Sequence, residues 1–169
     1  MDKPIYALSG YAEWFWLMAK NIKNVENRPR SLPKSIQLNL PIRIYLHASK
    51  TKASNDEIAF IGSKLNREQC LEFLDVDWYK LRGKIIGEIT ITRQFLKGKA
   101  PNPISSIGSG GAYSMGEEQV ELMNLKKTLP EYFSPWAFGK FCYVVKGGIL
   151  YDKFIPYNGQ LGFFKPELN

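Results

Sequence analysis

Lys23-Asn24-Val25-Glu26-Asn27-Arg28 follows an aromatic segment, Tyr11 to Met18. If residues 24–28 are extended, Glu26 and Arg28 point to the same face, because side chains alternate along a strand. Lys23 stands where the preceding helix should already have ended, so its ammonium reaches the same place. A carboxylate, a guanidinium and an ammonium together make a poor core and a poor random surface. They make a good polar floor for a pocket that takes a small planar or anionic ligand.

Working outward, the aromatic segment reads as a helix. Tyr11, Trp14, Phe15 and Met18 fall at i, i+3, i+4 and i+7, which is one apolar face, and Trp16 lies off it. A strand over Pro4 to Leu8 precedes it, and Ser9-Gly10 breaks between the two. Downstream, Pro29, Pro33 and Pro41 bracket a basic, loop-like segment. Ile42 to Ala48 alternates as a strand, with Ile42, Ile44 and Leu46 on one side and Arg43, Tyr45 and His47 on the other. Ser54 with Glu57, and Asn66 with Gln69, are capping boxes that start helices running to about Lys64 and Leu74. Gly83 to Thr92 reads as a central strand, apolar on both faces except at Glu88.

From Lys97 to Gly116 the chain is rich in Gly, Pro and Ser, and the glycines at 108, 110 and 111 lack the spacing of a phosphate-binding loop. A short helix is expected over Glu117 to Leu125. Phe141 to Val145, Ile149 to Ile155 and Leu161 to Phe164 read as three short strands, with a turn at Gly147-Gly148 and another at Asn158-Gly159. Short strands with few long helices give an α+β protein built round a small curled sheet or barrel.

The chain has 169 residues and reads as one domain spanning residues 1–169. With 44% hydrophobic and 14% aromatic residues it is globular rather than disordered. Its formal charge of +7 favours a polyanionic partner, most simply nucleic acid. Cys70 and Cys142 are far apart, no CxxC occurs and His47 is the single histidine, so neither a metal site nor a disulfide scaffold is expected. No signal-peptide core and no apolar run of membrane-spanning length is seen, so a reducing cytoplasm and no membrane partner are expected. No cofactor motif appears.

Five pieces of the sequence, in this order, resemble the ASCH family of the PUA-like superfamily. They are Tyr6-Ala7-Leu8-Ser9 with the aromatic helix after it; Lys23 to Arg28; Leu46-His47-Ala48-Ser49-Lys50; Gly83-Lys84-Ile85-Ile86-Gly87; and Ser134-Pro135-Trp136-Ala137-Phe138-Gly139 with Pro156 to Phe164. The resemblance implies a PUA-like pseudo-barrel of short, mostly antiparallel strands with flanking helices and a cleft beside it. Family members look like nucleic-acid binders, and some are enzymes, including an amidohydrolase acting on acetylated cytidine and proteins described as ribonucleases. Carried over, the family's cleft segment falls on Lys23, Glu26 and Arg28. Two positions depart from the pattern. Asn21 replaces a glycine two residues before the lysine, and Glu26 stands where the amidohydrolase has a threonine. Glu88 roughly matches that enzyme's acidic position.

The functional expectation is an RNA-binding module that uses a basic, aromatic-lined cleft. Arg28 would present its donors to a phosphate or base edge. Glu26 would accept from an amine or hold Arg28. Lys23 and Lys50 would neutralise phosphate, and Trp136 and Tyr113 would stack on an unpaired base. His47, Ser49 and Ser134 complete the ligand contacts. The alternative is a hydrolase acting on RNA or a modified nucleoside, with Lys23, Glu26 and Glu88 as catalytic candidates. The plainer alternative makes Glu26–Arg28 a structural ion pair and Trp136 a core plug.

Overall fold

A computed structural model describes residues 4–97 and 117–168. The glycines at 108, 110 and 111 and Tyr113 lie outside the described residues.

The α+β class is observed. One sheet has the strand order β2-β5-β4-β3-β1-β6. It is made of β1 (Tyr6–Gly10), β2 (Val25–Arg28), β3 (Ile42–Ala48), β4 (Lys84–Leu96), β5 (Phe141–Pro156) and β6 (Phe163–Phe164). β1 runs parallel to β3, and every other pairing is antiparallel. The helices are α1 (Ala12–Ala19), α2 (Lys34–Gln37), α3 (Asn55–Lys64), α4 (Arg67–Leu74), α5 (Trp78–Leu81) and α6 (Glu117–Thr128), with a 3-10 turn at Pro130–Phe133. Three register shifts between β4 and β5 bend the long strands, so the sheet curls into a half-barrel with β2 and β6 as its edges.

Both expected capping boxes form. Ser54 accepts from the Glu57 amide and Asn66 from the Gln69 amide, and each partner side chain returns the bond. The helices end at Lys64 and Leu74, where the sequence places them.

β3 differs from its expected one-sided form. Ile44 and Leu46 join the main core with Phe15, Leu17 and Met18 of α1, while Tyr45 is buried on the other face with Ala7, Ile85 and Phe164. The C-terminal segment returns over that second face, and this covers residues that alternation alone assigns to solvent. α1 is likewise buried nearly all round: Trp16 packs against Phe73 and Trp78, and the Glu13 carboxylate is bonded by Arg82 at 2.6 Å.

The turn expected at Gly147-Gly148 is not there. β5 runs through both glycines as one strand of 16 residues. Gly147 has φ 62°, and the register against β4 shifts close by, so the pair forms a bulge. The reason Gly148 is a glycine lies in the neighbouring helix. A Cβ on it would stand 2.1 Å from the Met18 carbonyl oxygen. Asn21, whose φ of 58° closes α1, fixes the contact twice: its Nδ2 donates to the Gly148 carbonyl at 2.9 Å and its Oδ1 accepts from the Gly148 amide at 2.7 Å. The chain leaving α1 is thereby set beside β5, and residues 25–28 pair with β5 as its edge strand.

No helix among the described residues is long and apolar enough to cross a membrane. Among them no group of His, Cys, Asp and Glu has the arrangement of a metal site.

Candidate functional site

β2 places Glu26 and Arg28 two residues apart on one face, and Lys23 comes up from the loop before it. Lys23 is 2% exposed and Glu26 6%. The Lys23 Nζ donates to Glu26 Oε2 at 2.6 Å, and Arg28 Nε donates to Glu26 Oε1 at 2.9 Å. Arg28 Nη2 donates to the Ser9 carbonyl at 2.9 Å, at the end of β1. Burial opposes the Glu26 charge, but Lys23 and Arg28 outweigh it and hold the carboxyl below its ordinary range. Burial pushes Lys23 down from the ordinary lysine value, against the pull of Glu26 and with a smaller push from Arg28. Both oxygens of Glu26 are engaged, so its part is to hold the two cations.

The three residues line a cleft of about 820 Å³. Six further parts of the fold close round it: Ser9 and Gly10 from β1, Tyr11, Trp14 and Phe15 at α1, Ser49 and Thr51 after β3, Asp56, Glu57 and Phe60 in α3, Phe138 before β5, and Leu161 before β6. Its wall is aromatic. Phe60 and Phe138 meet edge to face with centroids 5.1 Å apart, Trp14 stands 6.1 Å from Phe138, and the Lys23 Nζ lies 5.4 Å over the Trp14 ring. Trp14 is held by an Nε1 bond to Glu57 Oε1 at 3.0 Å.

The expected basic character of the cleft needs correction. Against Lys23 and Arg28 stand Glu26, Asp56 and Glu57. The chain's excess of positive charge therefore lies elsewhere. Exposed Arg30, Lys50 and Lys52 flank the lining in sequence, next to Pro29, Ser49 and Thr51.

Several expected site residues fall outside the lining. Glu88 sits on the second face of the sheet, bonded by Arg43 Nη2 at 2.8 Å and by the Tyr151 hydroxyl at 3.1 Å, so it is not brought to Lys23. Trp136 is 4% exposed and meets Trp14 edge-on from behind, at 6.2 Å; it supports the wall without being its surface. Ser134 donates to the Asn24 side chain at 2.6 Å. Lys50 lies along Gly83 and is exposed at the rim.

Phe138, 54% exposed, is the ring that faces the cleft where sequence reasoning placed Trp136. Its position depends on Asn27, which sequence reasoning also missed. Asn27 Nδ2 donates to the Trp136 carbonyl at 2.7 Å, and its Oδ1 accepts from the Phe138 and Gly139 amides at 3.0 and 2.8 Å. The available signal was alternation: on a strand that aims Glu26 and Arg28 one way, Asn27 faces the other.

His47 is buried beneath the segment that leads to β6. Its Nε2 donates to the Tyr157 carbonyl at 3.0 Å, and its Nδ1 lies 2.9 Å from Ser9 Oγ, where the neutral ring accepts. Burial holds its pKa below the ordinary 6.5, only partly offset by the Tyr157 carbonyl. Below about pH 6.5 the unfolded chain takes up a proton that the folded chain resists, so stability should fall as pH drops through that region. Denaturant midpoints at pH 7.5 and 5.5, on the protein and on His47→Gln, measure this. The histidine protein should lose more stability on acidification, and equal losses in both would overturn it.

What fold and site define together is a curled, mixed sheet with an aromatic cleft floored by a buried Lys–Glu–Arg triad. No protein-family model matches the sequence, and no curated protein does. Among solved structures, the fold is similar to that of ASCH-domain proteins. The crystal structure of ASCH from Zymomonas mobilis is 12% identical, with 96% of this chain and 87% of that one covered and a TM-score of 0.44. A mutant ASCH protein from the same organism is also 12% identical, with 86% and 70% covered and a TM-score of 0.35. At this identity the likeness concerns the fold and says nothing of the chemistry.

Proposed function

We propose that the cleft binds an unstacked base of single-stranded RNA. The observation that carries this reading is the setting of Arg28. Its guanidinium is fixed by Glu26 and the Ser9 carbonyl, and it borders a space walled by Phe138, Phe60 and Trp14. A planar donor beside an aromatic surface is the arrangement that reads a splayed-out base. The cleft's volume of about 820 Å³ lies within the range of small-ligand pockets and leaves room for one nucleoside, modified or not. A net charge of +7, with Arg30, Lys50 and Lys52 exposed beside the lining, favours a polyanion across the rim.

Fluorescence anisotropy of short single-stranded RNAs over a series of salt concentrations tests the reading. Affinity should fall steeply with salt, through counterion release. Phe138→Ala should weaken binding by about 1–3 kcal/mol, the worth of one base–aromatic stack. Absence of binding at low salt, or an unchanged affinity in Phe138→Ala, would overturn the proposal.

One observation favours a hydrolase as the second reading. Lys23 borders the cleft and is held below the ordinary lysine value, a state suited to proton transfer. Glu88 has no part in this version, because its carboxylate is bonded to Arg43 and Tyr151 on the other face of the sheet. Mass spectrometry of RNA and acylated nucleosides after incubation separates the two readings: a mass change that disappears in Lys23→Met supports hydrolysis.

A further inference from the structure

The polar groups of the lining are mostly spoken for. Glu26 is taken by Lys23 and Arg28, Glu57 by Trp14 and the Ser54 amide, and Asn27 by the segment from Trp136 to Gly139. Among the described residues, two charged groups of the lining keep atoms without a hydrogen-bond partner: Arg28, at Nη1, and Asp56, at its carboxylate. One offers donors only and the other acceptors only. They stand on separate elements, Arg28 on β2 and Asp56 in the first turn of α3, one helical turn before Phe60 of the aromatic wall.

A base that satisfies both must keep its acceptors and donors on separate edges. Guanine does so: O6 and N7 accept along one edge, while N1–H and the N2 amine donate along another. Adenine places its N6 donor beside the N7 acceptor, and cytosine places its N4 donor beside N3. Uracil flanks its one N–H with two carbonyls.

We infer that the cleft selects guanine, with Arg28 on its O6 and N7 and Asp56 accepting from N1–H and the N2 amine. This rests on the reading of the cleft as an RNA-base site and names the base that the site takes. The carboxylates in the lining weigh against a phosphate at this position, and one of them, Asp56, serves here as the acceptor for the base.

The test compares oligouridylates carrying one central guanosine, inosine or adenosine, by anisotropy, with the unaltered protein and with Asp56→Ala. Inosine keeps O6, N7 and N1–H and lacks only the N2 amine. Guanosine should bind about tenfold more tightly than inosine, the worth of a well-placed base contact, and adenosine should bind most weakly. Asp56 is exposed, so its alanine variant should keep the fold, which circular dichroism verifies. In that variant the guanosine and inosine affinities should become equal. Equal affinities in the unaltered protein, or a preference that persists in Asp56→Ala, would overturn the inference while leaving RNA binding in place. If no RNA binds, the RNA reading fails, and calorimetry with free guanosine and inosine decides this one: guanosine preference lost in Asp56→Ala sustains it, and no preference ends it.

Discussion

Replacing Glu26 with alanine is expected to destabilise the folded protein by about 3–5 kcal/mol, the cost of leaving a buried charge without its partner. Lys23 is almost wholly enclosed, and its hydrogen-bond partner is the Glu26 carboxylate. With that carboxylate gone, the ammonium keeps its desolvation and loses its compensation, and Arg28 loses one of its two anchors. The double variant Lys23→Met with Glu26→Gln should recover much of the loss, since it removes the stranded charge and keeps an acceptor for Arg28. Urea denaturation of the three proteins gives the comparison.

The pH dependence of these proteins has a definite sign. Glu26 is held below the ordinary carboxyl value of 4.5, so its contribution is present above that pH. It is lost as pH falls through the lower, folded value, because the unfolded chain then binds the proton more readily. In Glu26→Ala the attraction that raised the Lys23 pKa is gone. The folded lysine, already below the unfolded value in the unaltered protein, then releases its proton at still lower pH, and the deficit of this variant should narrow as pH rises towards 10.5. A loss below about 1 kcal/mol at neutral pH, within the range of exposed ion pairs, would show that the pair is solvated.

Gly148→Ala is expected to be strongly destabilising although the position lies outside the cleft. The new Cβ would meet the Met18 carbonyl at 2.1 Å and the Ala19 carbonyl at 2.9 Å, and neither is a side chain that can turn away. Overpacking of this kind costs about 1–3 kcal/mol, and backbone obstacles put it at the upper end. The paired bonds between Asn21 and Gly148 would go with it. A chain of this size loses roughly 2–4 °C of Tm for each kcal/mol, so calorimetry resolves the effect easily. Asn21→Ala, which removes the bonds without the clash, should be milder. A Gly148→Ala protein as stable as its parent would mean that β5 does not pass so close to α1. Because the same contact sets residues 21–28 beside β5, RNA affinity should fall together with stability.

Much of the local structure was legible in the sequence because its signals are local. Ser54 with Glu57 and Asn66 with Gln69 are bonds between residues three apart, so spacing alone reveals them. The extended run from Val25 to Arg28, with Glu26 and Arg28 on one side, follows from strand periodicity. What the sequence hid depends on distant partners. Gly147-Gly148 has the composition of a turn, and only the end of α1, some 130 residues away in the chain, makes it a bulge under a helix terminus. Tyr45 alternates as an exposed residue until the C-terminal segment covers it.

The candidate site divides the same way. Lys23, Glu26 and Arg28 were readable as a group because they occupy six residues. Trp136 and Phe138 are both plausible platforms by type. The choice between them is made by Asn27, whose side chain holds the Trp136 carbonyl and the Phe138 amide and leaves the tryptophan behind Trp14. Glu88 was grouped with Lys23 by resemblance. Its strand position puts it with Arg43 and Tyr151, and no periodicity within β4 shows which face carries the cleft. Beyond Glu26, the acidic share of the lining comes from α3, whose capping box is legible but whose docking against α1 through Glu57 and Trp14 is not.

The most direct test of the cleft as an RNA-base site is an amide NMR titration of the isotopically labelled protein with a short guanosine-containing single-stranded RNA. Saturable shifts should concentrate on Ser9, Gly10, Trp14, Arg28, Asp56, Phe60 and Phe138, and should shrink sharply in Phe138→Ala. Shifts spread over basic residues remote from the cleft, with those seven amides unmoved, would contradict it.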